Sequence, residues 1–313
     1  MRGRRYITRG VSPAGRRIMS EWLIAIPVWG DRYLDILERA TLPALRLALA
    51  KLGQSATLVV HTDQPERVTK AAEGLTLKLY DVPGPDNAFE SLSQAHRHVL
   101  QMAQAEQRVC LLTADLVMSS QMLFSCEELF KHGKSLVCCM GMRVDDAVMP
   151  PNTESGHELL AWGWEHRHPM TRESTWPNGR SYDVWRMYFE QGDEVACRLS
   201  LPHPIALVKK RNARIQFYPT IDVNVTHNFS PGVTHLIIEP HEGALIELSP
   251  QDKEFIYTES MLDRLEKGLP SCPAFVRFTN PRHRGFFQKQ IIIKGSGGDC
   301  GDQRVMDRVM RGT

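Results

Sequence analysis

The stretch Arg108-Val-Cys-Leu-Leu-Thr-Ala-Asp-Leu-Val-Met-Ser119 decides the reading of this chain. It is a short apolar run interrupted by one carboxylate, Asp115, and closed by Ser119-Ser120. An apolar run of this length bounded by polar residues reads as a buried parallel strand. An acid at the carboxyl end of such a strand sits where open α/β sheets bind their ligands. There it meets a phosphate through a metal ion, or a sugar hydroxyl directly. The other reading is that Asp115 caps the helix beginning near Ser120, although Ser119 or Ser120 serves equally well as a cap.

Upstream, strands and helices alternate. Leu23-Ile-Ala-Ile-Pro-Val28 is strand-like, and Tyr33–Leu52 carries Leu34, Leu37, Leu42, Leu45 and Leu49 at roughly helical spacing. Pro43 inside that run predicts a kink or break. Ala56–His61 is a second strand ending in Thr62-Asp63, followed by a short helix over Pro65–Glu73. Leu75–Tyr80 alternates as a third strand, and Ala88–Gln104 places Leu92, Ala95, Val99 and Met102 on one helical face. After the Asp115 strand come a helix over Ser120–His132 and a strand over Ser135–Met140. This series predicts an α/β fold: a mostly parallel sheet with flanking helices and right-handed crossovers.

Past about residue 145 the pattern becomes a mixed α+β part. Pro150-Pro151-Asn152 breaks the chain, and a helical stretch over Ser155–His168 leads into a tryptophan-rich loop. Cys197–Leu201, Ala206–Lys209 and Ile215–Tyr218 read as strands, and Leu236–Glu239 with Ala244–Leu248 as a pair around a Glu-Gly turn. Tyr257–Lys267 reads as a short helix, and the tail rich in Gly, Asp and Arg from Gly295 as loose. The organisation expected is a disordered basic leader over 1–18, an α/β half over 19–145, a mixed half over 146–294 and a flexible tail over 295–313.

With 313 residues the chain has room for one large domain or two modest ones, at about 150 residues per domain. Its 42% apolar and 24% charged residues are those of a water-soluble globular protein. The net charge of +2 does not call for a nucleic-acid partner. The charge is uneven, however: Arg2, Arg4, Arg5, Arg9, Arg16 and Arg17 stand before residue 19 with no acid among them. The segment is expected to be a disordered leader, or an upstream extension of a protein that starts at Met19. An acidic surface is the alternative partner for it. The run Trp22–Trp29 contains Pro27 and leads to no cleavage site, so it is not a secretory signal. No stretch reaches the length of a membrane span. Seven cysteines form no C-x-x-C pair, and Cys110 and Cys139 sit in apolar runs. They read as reduced core thiols of a cytoplasmic protein.

Several motifs are missing. There is no G-x-G-x-x-G after the first strand, where Pro27-Val-Trp-Gly30 stands instead, and no P-loop or G-x-S-x-G. No histidine pair has zinc-site spacing with a suitable acid. What remains is a set of strand ends: Pro27, Trp29 and Asp31 after the first, His61-Thr62-Asp63 after the second, and Asp115 after the fourth. In a parallel sheet these share the carboxyl edge. They supply an aromatic or main-chain wall, a polar group and an acid, as a nucleotide with metal-bound phosphates requires. In the second half, Asp222 and His227 lie five residues apart near turns, able to share a cation or act on a hydroxyl. His168 with Arg172, and His203, offer donors for phosphate. Asn280–Gly285 before Phe286-Phe287 is either a second phosphate cradle, an aromatic-basic membrane contact or a solvated turn.

Taken in order, Val28-Trp-Gly-Asp-x-Tyr33, Thr62-Asp63 and the single acid Asp115 resemble the nucleotide-sugar half of GT-A-fold glycosyltransferases, over roughly residues 20–145. With Ala88-Phe-x-x-Leu-Ser-x-x-His96, His168-Pro-x-Thr-Arg172, His203-Pro204, Thr220-Ile-Asp222 and Asn280-Pro-x-His-Arg284 added, the chain after Met19 is similar to a largely uncharacterised bacterial family of GT-A-like proteins. The resemblance implies that Asp115 is the first acid of a D-x-D metal motif, and Val117 departs from it at the second position. A divalent cation, Mn2+ or Mg2+, would then need His227 or Asp222 as a further ligand. Asp63 would lie near the base or ribose. No catalytic base is implied.

Two functions follow. One is a glycosyltransferase using a nucleotide-sugar donor and an unknown acceptor, with Trp162, Trp164, Trp176 and Trp185 offering flat faces to a sugar ring. The other is a non-catalytic GT-A-like binding or scaffold protein that lacks the second acid. A nucleotidyltransferase is disfavoured by the absent Gly-rich loop.

Overall fold

The computed structural model describes residues 22–82, 88–152, 154–176, 186–199, 202–210, 215, 225–251, 285, 286 and 288–296. The arginine leader, most of the strand expected at Ile215–Tyr218, the helix at Tyr257–Lys267, the motif at Asn280–Arg284 and most of the tail lie outside these residues.

The first strand, β1 (Trp22–Pro27), is buried along its whole length. Its residues alternate between two hydrophobic clusters, with Trp22, Ile24 and Ile26 in one and Leu23 and Ala25 in the other. That is the pleat of a strand covered on both faces, which explains why the run is apolar without alternation. β2 (Ala56–His61) and β3 (Thr76–Tyr80) follow in parallel on one side, and β4 (Arg108–Leu111) lies parallel on the other. Helices occupy both faces. α1 (Asp31–Ile36), α2 (Leu42–Leu52), α3 (Pro65–Ala71) and α5 (Met122–Lys131) supply the cluster around Trp22. α4 (Ala88–Met102) and α6 (Gly156–Glu165) supply the cluster around Leu23.

Among the described residues, ten more strands complete the sheets. β6 (Leu136–Cys139) and β12 (Thr234–Leu236) extend the main sheet, while β11 (His203–Val208) enters antiparallel between β4 and β6. The order is β12-β6-β11-β4-β1-β2-β3: seven strands, mostly parallel. A smaller sheet of β5 (Leu116–Met118), β13 (Leu245–Ser249) and β7 (Gly141–Asp145) begins where β4, β12 and β6 leave the main one. A third sheet pairs β14 (Ile291–Lys294), β10 (Glu194–Leu199), β9 (Arg186–Gln191) and β8 (Thr175–Trp176). The cluster containing Leu23 runs on through Tyr188, Cys197 and Ile293, so both halves of the chain share this core.

Three expectations need correction. The Asp115 segment is two strands in two sheets, joined by a turn at 112–115. Hydrophobicity is continuous because both strands are buried, and it carries no mark of the change of sheet. The pair at 236–248 is no hairpin: β12 pairs with β6 and β13 with β5 and β7. β9, which the composition did not mark, forms a hairpin with β10 across Gly192-Asp193. That dipeptide is a two-residue turn signal.

Pro43 predicts a kink or break, but the helical run continues through it. Between α1 and α2 the helix widens into a π segment, Leu37–Thr41, in which the Leu42 amide reaches back five residues to Leu37. Proline has no N–H and its ring crowds the preceding turn, and the wider turn absorbs both defects without breaking the helix.

Cys110, Cys126, Cys138, Cys139 and Cys197 are buried without a disulfide, and burial pushes the Cys110 thiol well up. No described helix is long and apolar enough to cross a membrane.

Gly156 opens α6 against the Pro240 carbonyl, and a Cβ there would lie 2.1 Å from that oxygen. At Gly163 a Cβ would meet the terminal methyl of Met142 at 2.5 Å, which can swing aside. Gly156→Ala is therefore expected to cost about 1–3 kcal/mol in urea unfolding, the usual range for overpacking. Gly163→Ala should cost less. Equal effects would contradict the packing described.

Candidate functional site

The turn at 112–115 is fixed one carbonyl at a time. Leu111 O accepts from His203 Nε2 at 3.0 Å, and Leu112 O from His96 Nε2 at 2.9 Å. Thr113 O accepts from Leu116 N at 3.2 Å, Ala114 O from the Thr41 hydroxyl, and Asp115 O from Leu248 N at 2.8 Å. The donors come from β11, α4, the start of β5, the π segment and β13. Buried carbonyls need such partners, and here five consecutive ones draw on five places in the fold. The Asp115 side chain remains half-buried, with its carboxylate accepting the Thr113 hydroxyl. It caps no helix: α5 starts at Met122 with Gln121 at the cap position. Ser119 and Ser120 bond instead to Ala244 N and Glu154 O, both at 2.9 Å.

The neighbouring strand ends converge as parallel topology dictates. Pro27 stands opposite His61 at the ends of β1 and β2. The Gly30 amide donates to both oxygens of Asp63, at 3.3 and 3.4 Å. Gly30 has φ +77°, a conformation open to glycine, which turns its N–H toward that carboxylate. Trp29 is half-buried beside it. Thr62 is buried, its hydroxyl accepting from Gln64 N at 3.1 Å. Asp31 accepts from Gln64 Nε2 at 2.8 Å and pairs with Arg67.

Tyr33, on the first turn of α1, joins this edge to Asp115. Its ring is 37% exposed. Burial raises its phenol pKa, the Asp115 carboxylate raises it further, Arg32 opposes, and Glu247 and Asp146 add to the rise. Arg32 pairs with Asp146 and lies over the Tyr33 ring at 5.7 Å. Glu247 on β13 is held by Arg143 of β7 at 3.3 Å and Arg186 of β9 at 2.8 Å. The sequence reading missed these six residues as a group. The available signal was Glu247, a lone acid at the centre of an apolar strand.

The remaining candidates are dispersed. His203 stays at the edge through its bond to Leu111 O. His168 is fully buried as the N-cap of a short helix, α7 (Pro169–Glu173): Nδ1 accepts from Met170 N at 3.1 Å and Nε2 donates to Pro250 O at 2.7 Å. With both nitrogens on main chain it is placed to fix a turn, not to meet phosphate. Arg172 is exposed on α7. His227 is exposed in a 3-10 turn over Val225–Asn228, and Asp222 lies outside the described residues. Val117 is buried in the core at the position where a second acid was sought. Trp164 belongs to the core, against Tyr188 and under Arg167. Trp162 stacks on His166, and Trp185 lies outside the described residues. Among the described residues, no three His, Cys, Asp or Glu side chains gather as a metal site.

No protein-family model and no curated protein matches the chain. Among solved structures, TarS of S. aureus is 12% identical with a TM-score of 0.35, over 83% of this chain and 40% of that one. A 1–349 fragment of TarS in complex with UDP-GlcNAc is 14% identical with a TM-score of 0.28, over 42% of this chain and 37% of that one. A Bacillus anthracis protein assigned as a glucose-1-phosphate thymidylyltransferase, in complex with a sucrose, is 9% identical with a TM-score of 0.34, over 69% of this chain and 85% of that one. The chain thus spans less than two thirds of the length of these TarS chains. The fold class rests on the strand order and directions given above.

The Thr41 hydroxyl is the side-chain donor to Ala114 O, so Thr41→Val would leave a buried carbonyl unmet. A loss of about 1–3 kcal/mol is expected in denaturant unfolding. Thr41→Ser should recover most of it. A Val variant as stable as wild type would show that the bond is dispensable.

Proposed function

We propose that the protein is a glycosyltransferase that moves a sugar from a nucleotide-sugar donor to an acceptor. The observation that carries this reading is the convergence of strand ends: Asp63 against the Gly30 amide, and Asp115 on a turn beside Tyr33. A nucleoside diphosphate laid along this edge would have its base or ribose near Asp63 and its diphosphate near Asp115. The motif resemblance to GT-A enzymes supports the same placement. The departing diphosphate needs compensation of developing negative charge, from cationic side chains or a metal ion. Arg32, Arg143 and Arg186 lie on the Tyr33 side of the site. The described donors around Asp115 do not by themselves make a cation site, so no step is assigned to Mn2+ or Mg2+; Asp222 and His227 are proposed as the further ligands. The acceptor would approach from the second half of the chain. Buried thiols without a disulfide support a reducing compartment such as the cytoplasm.

One observation favours the second reading, a non-catalytic GT-A-like binding or scaffold protein. Val117 occupies a core position, and a carboxylate there would be buried among apolar groups.

Melting the protein with UDP, GDP, CDP or CMP, each with and without Mn2+, tests both. A ligand at about 100 times its Kd stabilises by about 2.7 kcal/mol, a rise of several degrees. The expected result is such a rise with at least one nucleotide, lost in Asp115→Asn. Release of that nucleotide from its sugar conjugate separates enzyme from binder. No rise with any nucleotide would overturn the transferase reading and leave the scaffold.

A further inference from the structure

Behind the strand end that carries Thr62 and Asp63 lies a pair of imidazoles. His61 is the last residue of β2, only 3% exposed, and its Nε2 is 2.9 Å from Nδ1 of His98 on α4. Tyr80, opposite His61 on β3, stacks on the His61 ring at 5.4 Å and meets the His98 ring edge-on at 4.6 Å. The Nδ1 atom of His61 is buried without a hydrogen-bond partner among the described residues.

These facts assign the protons. A bare lone pair is the cheaper orphan and a buried N–H the costlier one, so the His61 proton sits on Nε2 and is donated to His98 Nδ1. His98 then carries its own proton on Nε2. Only this doubly neutral arrangement makes the bridge without placing an N–H on the buried, unpartnered Nδ1 of His61. A proton added to His61 goes to Nδ1, where nothing accepts it. A proton added to His98 goes to Nδ1 and turns the acceptor into a second donor. The charged groups acting on His61 are His98 and His96, both on α4 and both opposing its protonation; Tyr80 of β3 contributes an aromatic face.

We propose that the His61–His98 bridge is an acid-labile latch that seats α4 on the carboxyl end of β2. Above neutrality the bridge is intact and α4 is held. On acidification a proton taken up by the pair either puts an N–H on the buried Nδ1 of His61, where nothing accepts it, or sets two donors face to face, and α4 loosens beside the Thr62-Asp63 turn. This inference does not depend on the nucleotide-sugar reading.

Burial, then His98 and His96, lower the His61 pKa from 6.5 to about 4. A base held neutral in the fold contributes stability that is fully present above its unfolded pKa and is lost as pH falls from 6.5 toward 4. The folded-to-unfolded ratio should therefore drop more than about tenfold between pH 7.5 and 5 through this residue alone.

The test is urea unfolding of the full chain at pH 7.5, 6 and 5, for wild type, His61→Phe and His98→Gln. Phenylalanine keeps the face toward Tyr80 and cannot be protonated; glutamine keeps an acceptor for His61 without a basic nitrogen. His61→Phe should lose at least tenfold of the wild-type pH dependence, and His98→Gln part of it. Imidazole 15N spectra of the wild type should show His61 as the Nε2–H tautomer, untitrated at pH 5. Hydrogen exchange at pH 5, corrected for intrinsic rate, should rise in residues 88–102 before residues 65–71. A His61→Phe protein with wild-type pH dependence, or a His61 that titrates near 6.5 in the wild-type spectra, would overturn the latch. If the Phe variant does not fold, the wild-type spectra decide alone.

Discussion

The structure turns on five carbonyl groups. From Leu111 to Asp115 the chain leaves one buried sheet and enters another, and between the last bond to β1, from Leu112 N to Ala25 O, and the first from β13, from Leu248 N to Asp115 O, its carbonyls are met from outside the ladders. An unmet buried carbonyl costs about 1–3 kcal/mol. The fold meets the need from His203, His96, Leu116, Thr41 and Leu248, drawn from both halves of the chain. The π segment before Pro43 ends at Thr41, so an irregularity forced by a proline also delivers one of these donors. The same bonds that satisfy the main chain fix where the Asp115 carboxylate stands. Local order and site geometry are here one requirement.

Much of the first half was legible because its physics is local. Ala56–His61 announces itself by β-branched and apolar residues ending at a polar turn, and Ala88–Met102 by one apolar face. Parallel order then follows from alternation of strands and helices, and with it the shared edge of Pro27, Asp63 and the Asp115 turn. Where the chain changes sheet, the reading failed. Leu111 and Leu116 are both buried, and burial is all that an apolar letter records. β12 and β13 were visible as strands, but not their partners. Pairing between residues a hundred positions apart is a tertiary fact with no periodic trace. The candidate site divides the same way. Asp63 and Asp115 could be found from strand ends. Arg143, Arg186 and Glu247 come from three strands of two sheets, and no spacing announces that they meet. His168 has the composition of a phosphate donor and the surroundings of a cap.

Glu247 gives the second half its hold on the site. Its carboxylate receives one guanidinium from the small sheet and one from the third sheet, while its field reaches the Tyr33 phenol on α1. Asp115 and Asp146 are the other carboxylates whose fields reach Tyr33. Arg32 answers Asp146. The surroundings of Tyr33 are therefore a set of opposed charges, and moving one partner would change the field felt by the rest.

The position of β11 has a consequence for how the chain is made. β6 emerges early in synthesis, yet its neighbour toward β4 is β11, and β12, on its other side, comes later still. Until β11 arrives, this entirely buried strand has no path into the main sheet. At about 5–20 residues per second on the ribosome, that interval lasts several seconds. During it, Leu136-Val-Cys-Cys139 is an unpaired apolar strand next to a nascent parallel sheet whose free β4 edge runs in its own direction and offers a non-native parallel pairing. The antiparallel insertion makes the first half dependent on the second in time as well as in space, and exposes this segment to mispairing while the chain is incomplete.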